Sequence, residues 1–173
     1  KLKTLSDKIE LESTYKFSEI LSYSFGLNYN YLERKLSAKY SSLNFLGFTN
    51  TLKAVFNNNK IARFSYIYSN SKASVDYFLE KKIIIDYRNT MANDDVEFDN
   101  LFPYNLLNFN YFYFSTTSKY SLIFNVSYNF KNKSTGENST TNFSETITNT
   151  KVINSEKTTS AMVFFEKELK NNP

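Results

Sequence analysis

The chain has 173 residues, enough for one domain spanning 1–173, and holds neither cysteine nor histidine, which excludes disulfides, thiolate metal sites and imidazole catalysis. Its 21 basic and 17 acidic residues give a formal charge of +4. The charges are scattered, without the clustered basic footprint of a nucleic-acid binder, and no nucleic-acid partner is expected.

The first strong pattern is "LSYSFGLNYNY", residues 21–31. Leu21, Tyr23, Phe25, Leu27, Tyr29 and Tyr31 alternate with Ser22, Ser24, Gly26, Asn28 and Asn30. Period two is the mark of a strand with two unlike faces. Ahead of it, Ser6 or Asp7 is a candidate cap for a short helical turn through Glu12. After it, "LERK" at 32–35 reads as a turn into a strand from Lys35 to Leu43. A short strand follows from Thr51 to Phe56, then "NNNK" as a turn, then a strand from Lys60 to Tyr68. Ala73 to Leu79 and "KIIIDY" at 82–87 are two more candidates.

Residues 88–105 carry acids and Pro103 and read as a connection between two halves of a sheet. Leu106 to Ser115 is aromatic on both parities, as for a strand covered on both faces. "STTSK" at 115–119 separates it from "YSLIFNVSYNF" at 120–130, the second long alternating segment. "KNKSTGENSTTN" at 131–142 reads as a hairpin loop. Strands from Phe143 to Val152 and from Thr158 to Phe165 close the chain, with "EKELK" as a helical turn or frayed end.

The expected architecture is all-β: an antiparallel meander of about eight to ten strands forming a sandwich or barrel, with little helix. Short polar turns imply antiparallel neighbours, because a parallel crossover needs a dozen or more residues.

Chemistry is thinly signalled. Asp94, Asp95, Glu97 and Asp99 form the densest carboxylate group and could offer oxygens to Ca2+, although the spacing does not fit an EF-hand loop. Otherwise no cofactor is expected. Glu10 and Glu12 share a parity, a pairing that glycosidases use when it lines a cleft. Tyr23, Tyr29, Tyr31, Tyr66, Tyr68, Tyr111, Tyr113 and Tyr128 could form rigid binding platforms with polar tips. Four glycosylation sequons, at Asn125, Asn132, Asn138 and Asn142, match what 23 asparagines among 36 serines and threonines generate by chance. Phosphate loops, dinucleotide fingerprints and nucleophile elbows are absent, so a non-enzymatic role is expected.

Three readings compete. The preferred one is a soluble β module for binding or assembly, a structural component at a cell surface or in a larger complex or filament. It would pair with other proteins or itself through edge strands, with residues 1–17 as a donated or accepting strand. The second is a small membrane-spanning barrel. In length, strand count and alternating eleven-residue segments the chain resembles small outer-membrane barrels. The third is a calcium- or sugar-binding surface domain. Sidedness separates the first two: a membrane barrel turns its apolar parity outward on every strand, and a soluble fold turns it inward.

Overall fold

The computed structural model describes residues 2–36, 39–57, 59–72, 83–84, 86, 88–93, 101–115, 117 and 119–168. Among these the chain is all-β. The strands are β1 (Leu2–Lys16), β2 (Leu21–Leu36), β3 (Lys39–Phe56), β4 (Lys60–Lys72), β5 (Ile83–Ile84), β6 (Asn89–Asn93), β7 (Leu101–Ser115), β8 (Tyr120–Thr141) and β9 (Thr146–Lys167). They form one sheet in the order β1-β2-β3-β4-β7-β8-β9-β6-β5. All ladders are antiparallel except β6 with β9.

The expected meander is present, as a single open sheet. Among the described residues no ladder joins β1 to β9 or β5, so the sheet does not close into a barrel.

The strands are longer than the sequence reading set them. β2 runs through "LERK", and Lys35 belongs to β2. The short Thr51–Phe56 strand is the last third of an eighteen-residue β3. Neither stretch holds a proline, and the polar residues at those points lie on a strand face instead of breaking the chain. The candidate helical turn at Ser6–Glu12 lies within β1, where its residues pair one for one with β2 from Leu32 back to Gly26. Partner pairing overrides a local cap signal there.

β7 begins at Leu101 and so takes in Pro103, opposite Asn70. The presumed hairpin loop at 131–142 is strand through Thr141, with the chain reversing at 142–145. Its Ser, Thr and Asn residues pair with the threonine-rich start of β9, from Thr141 opposite Thr146 to Lys133 opposite Asn154. Asp94, Asp95, Glu97 and Asp99, like the Ala73–Leu79 candidate, lie outside the described residues.

Two turns expected from sequence are built as polar loops. Asn57 adopts φ 52° between β3 and β4, and Lys119 φ 50° between β7 and β8. Asparagine tolerates that left-handed region better than most residues. At the β1–β2 turn the Ser18 hydroxyl accepts hydrogen bonds from the Ile20 and Leu21 N–H groups at 3.2 and 3.0 Å.

The β1–β2, β3–β4 and β7–β8 connections lie at one end of the sheet, and the β2–β3, β4–β5 and β8–β9 connections at the other, where the outer halves of β8 and β9 form a hairpin flanked by β6. Ser155, at φ 72°, marks the bend between the projecting and inner halves of β9.

Candidate functional site

The two faces of the sheet are the dominant feature. Residues paired across a ladder point to the same side, so the register sorts the side chains. One row crosses seven strands as Tyr15, Tyr23, Leu52, Phe64, Phe109, Val126 and Ala161. The adjacent row, one residue along each strand and on the other face, is Thr14, Ser24, Thr51, Ser65, Asn108, Ser127 and Ser160. The first belongs to an apolar face, the second to a polar one.

Burial is inverted relative to a water-soluble domain. On the apolar face Leu46, Leu52 and Phe64 are 58%, 43% and 47% exposed, and Phe25, Leu27, Tyr29, Leu107 and Phe109 are exposed too. On the polar face Ser65 and Gly47 are buried, and Asn28, Asn30, Asn108 and Asn125 are half-buried. Among the described residues only Leu32 and Phe102 are buried hydrophobics, and both lie on the polar parity near the long-loop end.

All seven binding-surface tyrosines, Tyr23, Tyr29, Tyr31, Tyr66, Tyr68, Tyr111 and Tyr113, share the apolar face, and Tyr128 joins them. Phe48 stacks on Tyr68 at 5.4 Å between centroids, and Tyr113 meets Tyr120 edge-on at 5.3 Å. Polar groups on this face find partners within it. The Tyr66 hydroxyl donates to Asn105 Oδ1 at 2.6 Å, and the Tyr23 hydroxyl donates to Asn50 Oδ1. Satisfied hydroxyls and amides are what a water-poor surface requires.

The polar face is laced crosswise. Thr14 Oγ1 lies 2.7 Å from Ser24 Oγ, and Ser127 Oγ 2.6 Å from Ser160 Oγ. Asn125 Nδ2 donates to Asn108 Oδ1 at 3.1 Å and to Asn110 Oδ1. The reading of β7 as covered on both faces meets a correction here: between Leu106 and Phe112 its second parity is Asn108 and Asn110.

Glu10 and Glu12 do share the polar face, beside Asn28 and Gly26. They border a shallow hollow of about 180 Å³ with Ser24 and Thr49. Glu10 pairs with Lys8. Among the described residues no group of three acids could hold a metal ion.

In the projecting hairpin, Lys131 Nζ reaches Glu156 at 3.0 Å. A hydrogen bond from Ser134, then Lys131, holds the Glu156 carboxyl below the usual carboxylate range. At the start of β6, Asp86 Oδ1 accepts from the Arg88 and Asn89 backbone N–H groups, and the Asn89 side chain holds its carboxyl low. Thr90, buried, donates to Glu145 Oε1 at 2.6 Å and so ties β6 to the hairpin tip.

No protein-family model matches the chain, and no curated protein or solved structure shows significant similarity to it.

Proposed function

We propose that the chain is an arc of a membrane-spanning β-barrel of the outer-membrane type, with its apolar face toward lipid and its polar face toward the lumen. The observation that carries this reading is the inverted burial in the middle of the sheet: on β2, β3, β4 and β7 the apolar parity exposes Phe25, Leu27, Tyr29, Leu46, Leu52, Phe64, Leu107 and Phe109, while Gly47 and Ser65 on the other face are buried. In water such a sheet fails on energy. Burying one Leu or Phe side chain is worth about 1.5–3 kcal/mol. A whole face left wet forfeits far more than the roughly 5–15 kcal/mol net stability of a domain.

Dimensions support the same reading. On β2 the apolar parity runs from Leu21 to Tyr31, and on β3 from Leu46 to Phe56. At about 3.3 Å per residue and a tilt near 45°, that length gives a band about 24 Å deep, against the ~25 Å of outer-membrane barrels. Most charges on this parity fall at its limits, Asp7, Glu33 and Lys35 at one end and Lys60 and Lys167 at the other, while Lys157 on β9 lies opposite Phe130.

The arc needs completion. Six antiparallel steps lead from β1 to β9, so β1 and the inner half of β9, which pairs with β8 alone among the described residues, run the same way. An all-antiparallel closure requires an odd number of further strands, from the same polypeptide or another. Copies of this chain inserted the same way cannot supply them, because their edges also run the same way.

Single-cysteine labelling tests the reading, since the chain has no cysteine of its own. Cysteine at Leu27, Leu52 or Phe109 should resist a charged, water-soluble maleimide in membranes and react once detergent is added. Cysteine at Ser24, Thr51 or Asn108 should react in both. Recovery of the folded chain in the soluble fraction, with the Leu positions still protected, would point instead to a protein partner covering the apolar face.

A further inference from the structure

We infer that the polar face carries an anion-selective track centred on Lys53 and Arg63; this rests on the barrel reading and names the solute class its lumen favours. Lys53 and Arg63 stand directly opposite each other across the β3–β4 ladder. Like charges placed directly opposite destabilise a sheet. Lys16 lies on the same row, two strands away through Ser22.

No carboxylate offsets them nearby. On the polar parity, β2, β3, β4, β7 and the inner half of β8 carry Ser, Thr, Asn, Gly, Tyr104 and apolar residues, together with the cations Arg34, Lys39, Lys53 and Arg63, and no Asp or Glu. The acids of that face sit elsewhere: Glu10 and Glu12 on β1, Glu137 on the outer half of β8, Glu156 and Glu166 on β9. Among the described residues neither Lys53 nor Arg63 has an ion-pair partner.

The rest of the row adds donors. Arg63 is opposite Asn110, and Asn110 opposite Asn125. Asn125 gives its amide hydrogens to the side-chain oxygens of Asn108 and Asn110. That fixes both carboxamides with their oxygens occupied and leaves their NH2 groups for another acceptor. Ammonium, guanidinium and two carboxamide donors together suit chloride, carboxylate or phosphate, and cationic rings are how anion pores select. A low-dielectric wall behind the row strengthens the attraction.

The test is the reversal potential of the complete barrel in a planar bilayer under a potassium chloride gradient. The wild-type protein should favour chloride. Arg63→Glu turns a like-charge pair into an opposite one, so it should raise the unfolding midpoint while shifting the reversal potential toward cation preference. Lys53→Gln with Arg63→Gln should bring the preference toward neutrality. A wild-type preference for potassium, or a reversal potential unmoved by Arg63→Glu, overturns the inference and leaves the barrel reading standing. So does a labelling pattern of membrane insertion without conductance. Failure of insertion itself removes both.

Discussion

Lys131 and Glu156 face each other across the β8–β9 ladder and close an ion pair of 3.0 Å just where the hairpin leaves the apolar band. Their side chains are 19% and 31% exposed, so the pair is partly shielded from water. Ser134 hydrogen-bonds the same carboxylate, and the Glu156 carboxyl is held low. A depressed folded-state pKa adds stability above the ordinary carboxylate range, and that stability is lost as pH falls through the folded value.

The first prediction follows from that sign. Amide protection at Lys133–Thr141, corrected for intrinsic exchange, should be constant near neutrality and fall as Glu156 takes up its proton. Glu156→Gln should lower the neutral plateau by about 0.5–1 kcal/mol, the range of a partly exposed pair, and flatten the pH dependence. Equal pH profiles for the two proteins would contradict it.

Gly47 gives the second. It lies on the polar face opposite Asn28. A Cβ there would come within 2.5 Å of Asn28 Oδ1 and 2.8 Å of the Tyr68 backbone oxygen. The Asn28 side chain can turn; the Tyr68 carbonyl belongs to the next strand and cannot. At Gly26 the nearest atom is 3.7 Å away. Gly47→Ala should therefore cost about 1–3 kcal/mol, as overpacking does. Gly26→Ala should be close to neutral, and urea midpoints of the two variants would separate them.

The architecture was legible because period two survives any choice of strand ends: Leu21–Tyr31 and Tyr120–Phe130 carry the pleat in their sequence alone. Strand lengths were not legible. Polar stretches such as "LERK" and "KNKSTGENSTTN" look like loops when judged by composition, and only their partners across the ladder make them strand. The shared face of Tyr23, Tyr66 and Tyr111 could be anticipated within each strand from parity, but not across strands, because register between distant segments is a tertiary property. The same limit hid the opposition of Lys53 and Arg63, ten residues apart in sequence. A hairpin reading of Lys53 to Arg63 around the Asn57–Asn59 turn could have exposed it.

A third prediction contrasts neighbours on β3. Leu52 and Thr51 are adjacent in sequence and lie on opposite faces. Arginine in the lipid-facing band of a barrel costs about 2–4 kcal/mol near the midplane. Leu52→Arg should reduce assembly into membranes and lower the folding midpoint in phospholipid vesicles by that amount, whereas Thr51→Arg, which points to the polar side, should assemble nearly as wild type. Equal penalties at the two sites would mean that both faces meet the same medium.

The fourth prediction concerns closure. Among the described residues β1 leaves one edge of its backbone unpaired, and β9 does the same from Lys157 to Lys167, where its only ladder is to β8. Because these edges run parallel, a strand of opposite direction must lie between them in an all-antiparallel barrel. Paired cysteines at Ile9, Leu11 or Ser13 on β1 and at Thr159, Ala161 or Val163 on β9 should then fail to cross-link in the assembled protein. A disulfide needs Cα atoms about 4.4–6.8 Å apart, and strands separated by one intervening strand lie about 9.5 Å apart. Efficient cross-linking of any of these pairs would mean that β1 and β9 meet directly in a seven-strand parallel closure, and the arc would need no further strand.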